Sequence, residues 1–425
     1  MTRMHAHAAV AAMLPQHAWT DAQLTAASLI FIGSYLVFAI GKFPGLKIDR
    51  PGMAIIGSVL LVAFRIVGAK EALRAIDFAT LVLLFGMMLI VSNLRLAGFF
   101  DAVNEWIVGR LHPSHLLPTV IFTSGILSAF LVNDIVCLMM VPFVIGAARR
   151  MGLRPLPYLL ALATASNIGS VATITGNPQN MLIGSYSGIG YLNFLAHLGP
   201  VAVAGMFVNW AIFHWLFRRE DVAVAPMEER RQVSRVEAAR LRKPLLVLAL
   251  VVIAFLAGAP PALIAAVGAA LLLITRTVEP RKVYDGVDWG LLVFFVGLFI
   301  IVGGAEQAGL LDQLFAFAHR WNLEQVAPFT VVTVLLSNIV SNVPAVMLLK
   351  SLVPRFANTH TAWLLLAMAS TLAGNLTITG SVANMIVAER ARPEVEITWR
   401  EYARAGFPVA LCTIVLGSLW LWWIG

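Results

Sequence analysis

The sequence predicts an all-α polytopic membrane protein built from two inverted-topology repeats. About ten transmembrane helices, two re-entrant hairpins and two broken helices make up the expected architecture. Three observations carry that expectation: poverty in charge, long charge-free runs, and an internal repeat. Of 425 residues, 60% are hydrophobic and only 12% charged, with a mean hydropathy of +0.85. A soluble domain is about 25% charged, so lipid is the expected solvent for much of this surface.

The charge-free runs locate the spans. Residues 22–41, 52–64, 78–94, 116–133, 156–217, 244–275, 289–305, 325–349, 356–388 and 405–425 contain no Lys, Arg, Asp or Glu. About 20 apolar residues cross a bilayer, so the longest runs must each hold two crossings or a crossing and a re-entrant segment. The net charge of +8 comes from basic residues in short connecting stretches, a pattern that sets topology and argues against a nucleic-acid surface. Cys137 and Cys412 both sit in apolar runs, which excludes a disulfide framework or a thiolate metal site. Residues 1–21 read as a flexible tail, because the Ala/Val stretch after Arg3 is too short and interrupted for a targeting segment.

The repeat is read from six ordered matches. GSVLLVAFR (57–65) answers GAALLLITR (268–276), IDFATLVLLFGM (76–87) answers VDWGLLVFFVGL (287–298), and AGFFD (97–101) answers AGLLD (308–312), all 211 residues apart. SAFLVND (128–134) then aligns with SNIVSNV (337–343), TITGNPQNM (173–181) with TITGSVANM (377–385), and GPVA (199–202) with FPVA (407–410). Repeat one therefore spans 22–217 and repeat two 244–425. Residues 218–243 connect them, with eight basic and five acidic residues, and belong in the cytoplasm. The basic stretches 149–155 and 389–404 should share that side, although they occupy non-equivalent places in the two repeats. Equivalent loops then face opposite sides, five crossings fill each half, and the repeats are inverted.

Four segments carry polar or helix-breaking residues at membrane depth: SAFLVNDIVCLMMVP, LLSNIVSNVPAVMLL, SNIGSVATITGNPQN and LAGNLTITGSVAN. Non-helical backbone survives there only when buried in protein or lining an aqueous cavity. Gly/Pro-interrupted segments at matching positions of two halves point to a transporter's binding site. Single Ser or Thr residues also serve as helix contacts, but contact alone does not require a TITG break mirrored in both repeats. The candidate substrate-binding set is Asn133, Thr173, Thr175, Asn177, Asn180, Ser341, Asn342, Thr377, Thr379, Ser381 and Asn384. Asp134 is the only acid in these apolar stretches, and its repeat mate is Val343. A carboxylate in the membrane is expensive and by default functional, and low dielectric favours its protonated form, so Asp134 is the candidate proton-coupling group. It also fits a cap on a broken helix.

Cys137 lies three residues further on and reads as a small buried hydrophobe. Glu306, at the end of a span beside an expected interfacial helix, reads as a solvated residue. His197 and His214 lack metal-ligand spacing, and Trp420, Trp422 and Trp423 fit an interfacial aromatic belt. A hydrolase would need a nucleophile–base pair or a zinc motif such as HExxH, and none is present, so no enzyme activity is expected. A passive pore also accommodates inverted repeats; substrate accumulation against a gradient distinguishes it from a carrier.

At these residues the chain resembles the ArsB/NhaD group of the ion-transporter superfamily, over nearly its whole length. The resemblance rests on Asn133–Asp134 followed by an apolar run to Pro142, on SNVPAV from Ser341, and on the TITG breaks. It is strongest to the ArsB arsenite permeases. Sodium/proton antiporters of the NhaD type carry a second hairpin acid, which is Val343 here, and the divalent-anion symporters carry Ser-Asn-Thr at their tips. The resemblance implies export of arsenite or antimonite in exchange for protons across the inner (plasma) membrane, with Asn133, Asn177, Asn342 and Ser381 as metalloid contacts. A Na+/H+ antiporter or an anion/dicarboxylate permease of the same superfamily is the alternative. No cofactor and no nucleic-acid partner are expected; a soluble ATPase partner is compatible with the resemblance.

Overall fold

A computed structural model describes residues 20–41, 45–110, 112–218, 235–274, 278–311, 320–392 and 394–425. Among them run nineteen α-helices and no strand. Repeat one consists of α1 (Asp21–Ile40), α2 (Arg50–Ala63), α3 (Ala69–Ala75), α4 (Phe78–Leu96), α5 (Phe99–Arg110), α6 (Leu116–Leu131), α7 (Asn133–Arg150), α8 (Pro155–Ser170), α9 (Pro178–Ser187) and α10 (Tyr191–Phe217). Repeat two consists of α11 (Arg235–Leu256), α12 (Pro261–Leu273), α13 (Pro280–Tyr284), α14 (Trp289–Gln307), α15 (Val326–Val340), α16 (Asn342–Leu349), α17 (Thr359–Ala373), α18 (Val382–Ala391) and α19 (Trp399–Ile424). The helix α11 already begins at Arg235, within the stretch read as a connector. An interfacial helix after Glu306 falls mostly on 312–319, outside the described residues.

The pattern of elements is that of five crossings per half. Among the described residues, six helices are long and apolar enough to cross a membrane, while α2 and α12 are shorter. One of the six, α6 with the short 3-10 turn before it, does not cross. The chain reverses at Val132 and returns as α7, so the pair is the expected re-entrant hairpin, and α15–α16 is its mate. Both tips reverse on a non-glycine residue with positive φ, Val132 at 66° and Ser341 at 78°. A β-branched residue is rarely found there, and tertiary packing must hold it.

The halves interlock through α2 on α14 and α4 on α12. The close approach repeats itself in each pair. A Cβ at Gly86 would lie 2.8 Å from the Ala265 carbonyl carbon, and one at Gly297 would lie 2.5 Å from the Ala54 carbonyl oxygen. Gly86 and Gly297 are repeat mates, as are Ala54 and Ala265. Only glycine lets these backbones meet, which is how helices associate where water supplies no drive.

The ends of the bundle confirm the inversion. Arg149, at the end of the first hairpin, pairs with Glu394, which follows the second broken helix. At the opposite end His360 Nε2 lies 3.0 Å from Asn193 Oδ1, joining the loop after the second hairpin to the one after the first broken helix. Equivalent loops thus lie at opposite ends. The centre is α8, buried at every residue from Pro157 to Ser170, as expected of a helix apolar or small on all sides.

Candidate functional site

Two broken helices and two hairpin tips meet at the centre. Each broken helix is closed by an asparagine one turn into its second piece. Asn180 Nδ2 donates to the Ser170 and Thr173 carbonyls, both at 3.0 Å. Its mate Asn384 Nδ2 donates to the Gly374 and Thr377 carbonyls at 2.6 and 3.1 Å. These are carbonyls freed where α8 and α17 end, and buried carbonyls must find donors. Asn177 caps α9, its Oδ1 accepting from the Asn180 N–H at 2.8 Å. A Cβ at Gly176 would collide with the Ser170 backbone, and one at Gly380 would lie 2.8 Å from Asn338 Oδ1, which fixes glycine at both breaks.

Asn167 ties the halves together. It donates through Nδ2 to Asn375 Oδ1 (2.9 Å) and Asn384 Oδ1 (3.0 Å). Its Oδ1 accepts from Asn133 Nδ2 and from Ser381 Oγ, each at 3.0 Å. Its repeat mate Thr371 accepts from Gln179 Nε2 at 3.1 Å and from Asn177 Nδ2 at 3.3 Å. With its amide turned to satisfy both ends, Asn342 donates to the Ser370 carbonyl at 3.0 Å and accepts from Gln179 Nε2 at 3.3 Å.

A cavity of about 330 Å³ lies between the hairpin tips and the starts of α2 and α14. Of the residues singled out from sequence, Asn133, Asp134, Ser341, Asn342 and Ser381 line it. The other seven stand elsewhere. Asn177, Asn180 and Asn384 are engaged in the breaks behind it. Thr173 donates to the Ala129 carbonyl, and Thr175 Oγ1 lies 2.8 Å from the Tyr191 hydroxyl. Thr377 donates to Asn338 Oδ1 at 3.1 Å, and Thr379 is exposed. Asn133 and Asn342 line one cavity, and Thr175 and Thr379 do not join them.

Four lining residues with polar side chains are not among those singled out from sequence: Asp49, Arg50, Gln179 and Asp288. Asp134 is therefore not the lone acid at the site. Asp49 and Asp288 sit at helix starts and accept from the Gly52 and Leu291 N–H groups, each at 2.9 Å. Arg50 Nε donates to the Phe38 carbonyl at 2.9 Å. Their presence was readable in part. An α2 of 14 residues is only about 21 Å long, short of the ~30 Å hydrocarbon core, so one of its ends lies below the interface. Among the described residues no three His, Cys, Asp or Glu side chains form a group fit for a metal ion. Cys137 Sγ lies 3.0 Å from Ser166 Oγ in the packing behind the tip. Glu306 is not merely solvated: it accepts from Ser351 Oγ at 2.9 Å and pairs with Lys350 at 3.2 Å.

Residues 35–373 match the family model CitMHS, described as Citrate transporter. A silicon efflux transporter, LSI3, of Oryza sativa subsp. japonica is 28% identical, over 92% of this chain and 96% of that protein. A putative transporter, arsB, of Dictyostelium discoideum is 25% identical, over 92% and 90%. Among solved structures, the Alcanivorax borkumensis YdaH transporter, described as having an unusual topology, superposes with a TM-score of 0.54 over 95% of this chain and 97% of that one. At 14% identity that likeness speaks for the fold.

Proposed function

The chain belongs to the CitMHS citrate transporter family and is a membrane-embedded secondary transporter, and from that premise we propose that it exports a small neutral metalloid hydroxide, arsenite or antimonite, in exchange for protons. The observation that carries the reading is the charge of the cavity. Three carboxylates, Asp49, Asp134 and Asp288, line it with a single guanidinium, Arg50. A free polycarboxylate such as citrate would enter against that field, where like charges at low dielectric repel strongly. Arsenious acid is an uncharged trihydroxide near pH 7. The amides of Asn133 and Asn342 and the hydroxyls of Ser341 and Ser381 suit its hydroxyls, because amides and hydroxyls both donate and accept hydrogen bonds. Silicic acid is also a neutral hydroxide, so the likeness to a silicon efflux transporter supports the same substrate chemistry.

A second reading is a cation exchanged for protons, as in Na+/H+ antiport, which the three carboxylates favour. The deciding experiment uses everted membrane vesicles with an imposed pH gradient. Arsenite should accumulate and should leak away on addition of a protonophore, with silicic acid as a second substrate. Accumulation of citrate or sodium with indifference to arsenite would overturn the reading.

A further inference from the structure

The cavity lies at the start of α14, and Glu306 stands near the other end of that helix, about 25 Å along it. There Lys350 Nζ, directly after α16, lies 3.2 Å from Glu306 Oε1, and Ser351 Oγ donates to the same oxygen at 2.9 Å. The Lys350 ammonium also rests 4.4 Å from the centroid of the Tyr186 ring on α9. Two bodies meet at this point. Helix α14 packs on α1 and α2, whereas α16 packs on α9 and α17. Further in, Tyr35 of α1 donates to the Pro344 carbonyl of α16 at 3.2 Å.

We propose that Glu306 and Lys350 form a latch that closes the carrier at the end remote from the cavity, and that it favours this arrangement over the inverted one. Lys350 has two supports on its own body, the C-terminal end of α16 and the Tyr186 ring, and both stay with it when the bodies part. Glu306 is the support that comes from the other body. The Lys350 side chain is 13% exposed and that of Glu306 38%. A pair so open is worth little more than about 1 kcal/mol, which is enough to bias an equilibrium and too little to lock it.

The repeat shows that the bias is one-sided. The mates of Glu306, Lys350, Ser351 and Tyr186 are Arg95, Val141, Pro142 and Arg390. Closing the other end by the inverse movement would bring Arg95 toward Val141 and Arg390, with no acid at any of these positions. The latch therefore has no counterpart there. The mates Thr175 and Thr379 already differ as unequal ends require: Thr175 is 1% exposed, and Thr379 is open.

That difference supplies the test. When the repeats exchange roles, Thr175 takes the surroundings that Thr379 has here. Full-length protein is purified in detergent with Cys137 and Cys412 replaced by Ala and with one added cysteine, Thr175→Cys or Thr379→Cys. The rate of labelling by a polar maleimide is then measured. Thr175→Cys reacts through the inverted arrangement, so Glu306→Gln and Lys350→Gln should each speed its labelling by about threefold or more. Lys350→Arg keeps the charge and should leave the rate as it is with Lys350. Thr379→Cys should label no faster in any of these variants. An unchanged Thr175→Cys rate in Glu306→Gln would make the pair a surface contact and overturn the proposal. So would a rise at both positions together, which marks a loosened fold, or a Lys350→Arg variant that labels like Lys350→Gln. The labelling involves no substrate, so its outcome is independent of whether arsenite is carried.

Discussion

Asp134 shows what one residue can tell from sequence and what it cannot. Its cost in the membrane marked it at once, and the structure places it in the cavity with Asn133, Ser341, Asn342 and Ser381. The threonines and three asparagines of the breaks were marked for the same reason, polarity at depth, but polarity has two uses there. Asn180 and Asn384 spend their amides on freed carbonyls, and sequence alone does not say which use a given amide serves. Asp49 and Asp288 were missed for the converse reason. Each precedes an apolar run and looks like an ordinary helix cap, which it also is. Replacing Asp134 by Asn keeps its size and hydrogen bonding and removes its titration. Deprotonated, the carboxylate would cross the membrane with the hairpin at high cost; protonated, it crosses at far less. Asp134→Asn should therefore fold and bind arsenite, while accumulation driven by a pH gradient falls to the level of empty vesicles. Exchange at equal pH, which moves no net proton, should suffer less. A variant that still concentrates arsenite with wild-type pH dependence would leave Asp134 as structure only.

At the scale of elements, hairpins and breaks were legible because both are written twice. SAFLVND and SNIVSNV align at the tips, and TITG recurs at the breaks, so each irregularity vouched for its mate. What sequence did not reveal is how the breaks are held. Where α8 ends, and again where α17 ends, two carbonyls depend on one asparagine. Asn384→Ala strips both donors at once and deprives Asn167 of an acceptor, and Asn180→Ala does the equivalent in the first repeat. Leaving a buried polar group unpaired costs about 1–3 kcal/mol. Both variants should unfold at distinctly lower temperature than wild type in detergent, followed by intrinsic tryptophan fluorescence. If Asn384→Ala melted like wild type yet lost arsenite binding, the asparagine would return to the substrate's own contacts.

The whole molecule turns on the inversion, which sequence implied through charge and the structure expresses through contacts. Arg149 meets Glu394 at one end, and His360 meets Asn193 at the other. The stretches 41–50, 95–116, 149–155, 218–243, 274–288 and 389–404 join helices at the Arg149 end, and they hold 23 of the chain's 30 Lys and Arg residues. Positive charge stays on the cytoplasmic side of a membrane, so the expectation is that the Arg149 end faces the cytoplasm, and with it the helix starts that bear Asp49 and Asp288. Single cysteines put this to the test after Cys137 and Cys412 are replaced by Ala. Positions Arg154 and Ala357 follow the two hairpins, and positions Gly190 and Glu396 follow the two broken helices; all four are exposed. In an inverted pair, Arg154→Cys and Glu396→Cys should react with a membrane-impermeant maleimide only in everted vesicles. Gly190→Cys and Ala357→Cys should react only from the outside of intact cells. Repeats related by an axis along the membrane normal would instead sort Arg154 with Ala357 and Gly190 with Glu396. That labelling pattern would remove the inverted fold.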